Sequence, residues 1–385
     1  MTHTFSISTF FAFVALFSSE IGCRERLVAL DPQPSKATIA PAEHDVNAEP
    51  RAAADASAPE VYVGAVGALP VRATLIVTPA RIEGRWVYER GGDPQGLRLE
   101  AATDPSRRTT YALQEKTDSG EVSGQVFLDA QGALLRGVWR HPRTQQEFDI
   151  VLAREIRSRR GDSVVRARRI IIPLASPPGT ALPGFLPVVE GPGAAQMQAQ
   201  LTLERVLGEK ERELGDGTTG LDFEVRHHDD RLVTLFVHEE TMGAYPSGHG
   251  RIVTFDYRTA RRLGAEVFRP AAIPDVVRLL DARMHAAWRA AKQEYLKGPT
   301  SQSSCGPDVV RDFMAGDGPS FTPGMLGGVF VEAGGIDFAG GEDGRGGSGA
   351  GFPHVVLACE PHADLHLGWA EARPFLAVDG PLHAY

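Results

Sequence analysis

No phosphate-binding loop of the Gly-x4-Gly-Lys-Ser/Thr type and no Gly-x-Ser-x-Gly elbow occurs in the 385 residues of this chain. Phosphate-loop nucleotide chemistry and elbow-type serine hydrolysis therefore lose their usual sequence signals. Positive charge is also short, with 40 Lys and Arg against 49 Asp and Glu and a formal net charge of -9. That balance offers no long-range attraction to phosphate backbones, and nucleic acid is not an expected partner. The apolar run Phe5–Phe17 is too short to cross a bilayer as a helix, but it has the length of a secretory hydrophobic region. Cysteine is scarce, at three residues, which is few for a secreted chain.

Residues 1–22 therefore read as an export signal. Ser19-Glu20-Ile21-Gly22-Cys23 ends in the Gly-Cys that lipoprotein signals resemble, so Cys23 is the candidate lipidation site. Two departures stand out: Glu20 sits where such signals usually carry Leu, and His3 replaces the usual Lys or Arg. Residues 23–59 are rich in Ala, Pro, Asp and Glu and almost free of aromatics, so they cannot bury enough apolar surface to offset the entropy of ordering. They read as a disordered tether. The expected localisation is the cell envelope, periplasmic or outer surface, with the N-terminal lipid as the link to a membrane. In such an oxidising compartment Cys305 and Cys359 are a candidate disulfide, the alternative being two separate buried thiols.

From residue 60 to 154 short alternating runs are separated by turn signals: VYVGAVG, VRATLIV, RWVYE, LRLEA, TYALQEK, GQVFLD, LLRGVW and FDIVLA. Period-2 alternation with two- to five-residue turns predicts an all-β antiparallel meander or small barrel. Gly84-Arg85-Trp86, Gly137-Val138-Trp139 and, more loosely, Gly124 to Phe127 each set a glycine before an aromatic expected to face inward. Trp86 and Trp139 read as core, and the region carries no cluster of His, Cys or carboxylates at ligand spacing. A charged linker is expected over 155–163, within the Arg-rich stretch from Arg154 to Arg169.

Residues 164–378 predict an α+β domain. Its expected elements include an amphipathic helix over Ala195–Leu214, strands over Leu221–Arg226 and Arg231–Val237 around a polar tip at His227-His228-Asp229-Asp230, and a helix over Pro274–Leu296. Strands at Gly328–Val331 and His354–Ala358 and a last element at Trp369–Leu376 complete it. The glycine-rich stretch Gly334–Gly351 reads as a flexible loop. Gly243, Ala244, Pro246, Phe255, Asp256, Thr259 and Leu263 follow the spacing of a Gly-Gly-Ala-His-Pro-like turn and a Phe-Asp-x-x-Thr-Gly-x-x-Leu strand and turn. On these residues the chain resembles the extracytoplasmic domain of unknown function found in lysozyme-sensing anti-sigma factors and beside some peptidoglycan deacetylase domains. The resemblance extends, more loosely, over Val164–Leu376, and it departs from the pattern at Tyr245, where His is frequent, and at Ala260, where Gly is usual. It implies an envelope binding or sensing protein whose partner is a cell-wall glycan or a lysozyme-like protein, with Tyr245, His249, His362 and His366 as a candidate ligand surface.

A metal-dependent cell-wall hydrolase, or an accessory module of one, is the competing reading, drawing on His227, His228, Asp229, Asp230, His238, Glu239 and His249 or on His362-Ala363-Asp364-Leu365-His366. His238-Glu239-Glu240-Thr241-Met242 stops short of His-Glu-x-x-His, and on a strand neighbouring side chains point to opposite faces. No catalytic residue, metal or cofactor is expected.

Overall fold

The computed structural model describes residues 58–78, 81–89, 96–101, 111–173, 181–208, 214, 218–242, 246–298, 305–338, 359, 361 and 363–385. Export signal, Cys23 and most of the tether lie outside them. The all-β region is a closed barrel of eight antiparallel strands: β1 (Glu60–Val66), β2 (Leu69–Val77), β3 (Ile82–Tyr88), β4 (Leu97–Ala101), β5 (Tyr111–Lys116), β6 (Val122–Gln131), β7 (Leu134–Arg140) and β8 (Glu147–Arg154). Each strand pairs with the next, and β1 closes on β8 from Tyr62↔Arg154 to Val66↔Ile150. Closure leaves no unpaired sheet edge. Alternation drives it, as β2 shows by burying Val71, Ala73 and Leu75 while Arg72 and Thr74 face out.

The Gly-x-aromatic repeats have a steric reason. Gly137 lies against the neighbouring strand so closely that a Cβ there would sit 1.7 Å from the Phe127 carbonyl oxygen. Gly84 and Trp86, two apart, share the inner face, as do Gly137 and Trp139. The third repeat differs: Phe127 is three residues from Gly124 and therefore on the other face, where Arg140 lies 5.3 Å from its ring centre. Val126 fills the interior instead.

Residues 155–163, expected as a linker, form β9 (Ile156–Arg160) and the turn into β10 (Ser163–Pro173). With β11 (Ala181–Glu190) they make a three-stranded sheet in the order β11-β10-β9. The arginines there are structural. Arg157 forms an ion pair of 2.7 Å with Asp222, both side chains almost fully buried, and packs 5.0 Å from the Phe223 ring centre. Burial pulls the Arg157 guanidinium down and pushes the Asp222 carboxyl up. Arg169 reaches back to the barrel, donating to the Gly64 and Val71 carbonyls and pairing with Glu89. Val63 and Ala153, on the outside of the barrel, belong to the same apolar cluster as Val165, Phe185 and Phe223.

The α+β part continues with two short helices, α1 (Ala194–Gln198) and α2 (Leu203–Val206), in place of the single helix expected over Ala195–Leu214. Thr202 breaks the run by capping α2, its side chain accepting from the Arg205 amide. A four-stranded sheet follows in the order β12-β13-β14-β15, with β12 (Thr218–His228), β13 (Leu232–Met242), β14 (Pro246–Asp256) and β15 (Arg261–Arg262). His227 and His228 thus end a strand, and the hairpin tip is Asp229–Arg231. Ala260, at the position where the resembled family has Gly, takes φ 53. Its amide closes the turn on the Asp256 carbonyl at 2.7 Å.

Helix α3 (Ile273–Tyr295) buries Val276, Leu280, Met284 and Trp288, a stripe at four-residue spacing, while Leu296 is exposed. Its first half packs with a small sheet of β16 (Val329–Glu332), β17 (Gly335–Phe338) and β18 (Leu367–Gly368) in one core. β17 lies inside the stretch read as a flexible loop, since Ile336 and Phe338 are buried partners of that core. The second half of α3 packs with α4 (Pro307–Phe313) around a disulfide between Cys305 and Cys359, whose Cα atoms are 5.5 Å apart. The expected strand His354–Ala358 lies outside the described residues. Trp369–Leu376 forms α5 (Trp369–Ala372) and a 3-10 turn.

Candidate functional site

Among the described residues of the barrel, one charged side chain is buried. On β5, Tyr111, Leu113 and Glu115 fall in the same phase, so Glu115 points inward at one end of the barrel and is 1% exposed. Four donors converge on its carboxylate. Trp86 Nε1 donates to Oε1 at 2.6 Å and Tyr88 OH to the same atom at 3.0 Å. Trp139 Nε1 donates to Oε2 at 2.9 Å and Ser123 Oγ to the same atom at 2.8 Å. That is the full acceptor capacity of an ionised carboxylate. Burial and the facing Glu115 charge push the Tyr88 phenol well above its ordinary range, which keeps it a donor.

Gly124, the Cα partner of Glu115 on β6, makes the arrangement possible. A Cβ there would lie 2.0 Å from Trp139 Nε1 and 2.9 Å from Glu115 Oε2, so only glycine leaves room for the indole to reach the carboxylate.

Above this centre the barrel opens into a cavity of about 350 Å³ lined by Val66, Ala68, Leu69, Tyr88, Glu115, Trp139 and Phe148. All seven lie at the end where β1 meets β2 and β7 meets β8. The rim is apolar: Leu69 is 50% and Phe148 38% exposed, and the Phe148 and Trp139 ring centres are 5.7 Å apart. A size of this order, apolar walls and a single polar floor are the usual features of a small-molecule site. A larger hollow lies on the outer face between β2 and β3. Two of its charged groups are already engaged, Arg72 with Glu155 and Arg85 with Asp118.

No family model matches this sequence. No curated protein matches it either. Among solved structures, the crystal structure of a DUF3298 family protein from Pseudomonas aeruginosa PAO1 is similar at 13% identity, covering 57% of this chain and 95% of that chain, with a TM-score of 0.34. At that level the likeness says nothing of what this chain binds.

Tyr245 and His362 lie outside the described residues. His249 is on β14 opposite Glu239 on β13. His366, in irregular chain before β18, holds Nδ1 3.1 Å from both Asp337 oxygens, while Asp364 accepts from its amide at 3.0 Å. Burial pushes the Asp337 and Glu332 carboxyls up, Glu332 further so by facing Asp337. His227 contacts Asp229 at 2.9 Å, His238 stacks on Phe236 with ring centres 5.2 Å apart, and Glu239 accepts from Thr218 at 2.7 Å. Among the described residues no three His, Cys, Asp or Glu side chains are grouped as metal ligands would be.

His228 is only 8% exposed. Its Nδ1 meets Ser158 Oγ at 2.8 Å and its Nε2 meets Tyr257 OH at 2.9 Å, so one imidazole ties β9 to β14 and its turn. Burial, then the nearby Arg160 guanidinium, lowers its pKa to about 4. An unfolded chain takes up this proton near pH 6.5, so between about 6.5 and 4 the unfolded state binds more protons and stability falls as pH falls. The expected loss is on the order of 2 to 3 kcal/mol by pH 4. Urea unfolding at pH 7.5, 5.5 and 4.5 should show this slope, and His228→Gln should flatten it. An equal slope in both proteins would assign the pH dependence elsewhere.

Proposed function

We propose that this chain is a non-catalytic binding protein of the cell envelope whose barrel mouth receives a small ligand. The observation that carries this reading is the open cavity of about 350 Å³ at one end of the barrel, with exposed Leu69 and Phe148 at its rim. An eight-stranded barrel whose interior is merely packed has no need of a hollow lined by three aromatic side chains. The α+β domain supports an envelope role through its sequence resemblance at Gly243–Leu263, and cell-wall glycan or a lysozyme-like protein is the partner class proposed for that domain. Anchoring through a lipid on Cys23 belongs to the same proposal: radioactive fatty acid label should enter the native protein and be lost in Cys23→Ala.

The cavity is tested with Nile red, a neutral apolar dye. Its fluorescence should rise on addition of the protein and quench Trp emission, and Phe148→Asp together with Leu69→Asp should weaken binding at least tenfold. Equal binding by the double variant would show that the dye sits elsewhere and would remove the barrel mouth as the site.

A further inference from the structure

The four described side chains that donate to Glu115 are all neutral. Among the described residues no Lys or Arg forms an ion pair with Glu115, and none of the seven cavity-lining residues is basic. Four hydrogen bonds from Trp86, Tyr88, Trp139 and Ser123 solvate the carboxylate without neutralising it. A buried charge without a counter-ion projects its potential into the adjoining apolar space, where little water screens it. Between that carboxylate and solvent stand Tyr88, Trp139 and Phe148, whose ring faces are the negative ends of their quadrupoles.

We infer that the barrel mouth selects an organic cation, a quaternary ammonium carrying an apolar body, with the charged head held between the Tyr88, Trp139 and Phe148 rings above Glu115 and the body against Val66, Ala68 and Leu69. The inference rests on the cavity being a ligand site and adds the sign of the ligand's charge. A quaternary ammonium needs no hydrogen-bond acceptor, which fits a carboxylate whose acceptor sites are already filled. A fatty acid or other anion in the same place would meet Glu115 as a like charge, and a strongly hydrogen-bonding sugar would find only apolar walls.

The test compares three probes of matched shape on the full chain by Trp fluorescence and calorimetry: benzyltrimethylammonium, its neutral carbon isostere neopentylbenzene, and phenylacetate. The ammonium should bind at least tenfold tighter than the isostere and the anion weakest. Phe148→Leu, a change at the half-exposed rim that keeps an apolar side chain, should reduce ammonium affinity several-fold more than isostere affinity. If the isostere binds as well as the ammonium, or phenylacetate binds best, the charge inference is overturned while the cavity remains a ligand site. If none of the three binds, the ligand-site reading fails with it.

Discussion

Replacing Glu115 by Leu should destabilise the barrel by about 3 to 5 kcal/mol, although an apolar residue is being placed in an apolar interior. The cost comes from what is left behind. Tyr88 and Ser123 hydroxyls can rotate towards other acceptors, but the indole N–H groups of Trp86 and Trp139 are fixed by their rings, and each would lose its acceptor at 2.6 and 2.9 Å. A buried unsatisfied donor costs about 1–3 kcal/mol. Glu115→Gln should recover little, because the amide offers one acceptor oxygen and turns an NH2 towards one of the indoles. Urea unfolding followed by far-ultraviolet circular dichroism measures the effect, a signal that also serves variants lacking Trp86 and Trp139. The decisive comparison is a mutant cycle: in a Trp86→Phe, Trp139→Phe background the Glu115→Leu penalty should shrink to about 1 kcal/mol or less. An unchanged penalty would mean that Glu115 stabilises the barrel by some route other than these donors.

Loss of the Cys305–Cys359 bridge should be of similar size and differently located. The bridged residues are 54 apart in sequence, and closing a loop of that length stabilises by about 4 kcal/mol in the chain-entropy model. Both half-cystines are buried in a small cluster with Trp288, Val309, Val310 and Met314, apart from the larger core on the first half of α3. A cluster of so few side chains has little apolar burial of its own to hold α4 against α3. The Cys305→Ser, Cys359→Ser double variant should therefore unfold at lower urea concentration, and Trp288 emission should shift to the red before the barrel signal changes. Reduction of the native protein should give the same result. A reduced protein with unaltered midpoint would show that packing alone holds this layer.

The barrel was readable from sequence because its signal is local. Each of the eight runs alternates, each turn carries Gly, Asp or a Pro, and no distant residue is needed to assign them. Glu115 was readable in principle, since it continues the inward phase of Tyr111 and Leu113, but its role depends on Trp86, Trp139 and Ser123 arriving from three other strands. A charged residue in phase with buried neighbours is the signal to look for. The stretch 155–163 read as a linker for the same reason: Asp222 and Phe223, which receive Arg157 from β9, are distant in sequence. The helix expected over Ala195–Leu214 failed on a local rule, the capping preference of Thr202, outweighed in the reading by apolar spacing. Among the described residues of the α+β part the candidate metal ligands form no group of three, because strand alternation separates side chains that are adjacent in sequence.

Barrel and α+β part are joined by a single residue between β8 and β9. Glu155 is held there on every side: its amide donates to the Val61 carbonyl at 2.8 Å, its own carbonyl accepts from Ala167 at 2.7 Å, and its carboxylate pairs with Arg72 at 2.7 Å. Such a joint has no free torsion to swing about, so turning one part against the other would break sheet hydrogen bonds and uncover the shared apolar contact at Val63 and Ala153. A pull applied to the α+β surface would have to break those contacts before the barrel could turn independently of it.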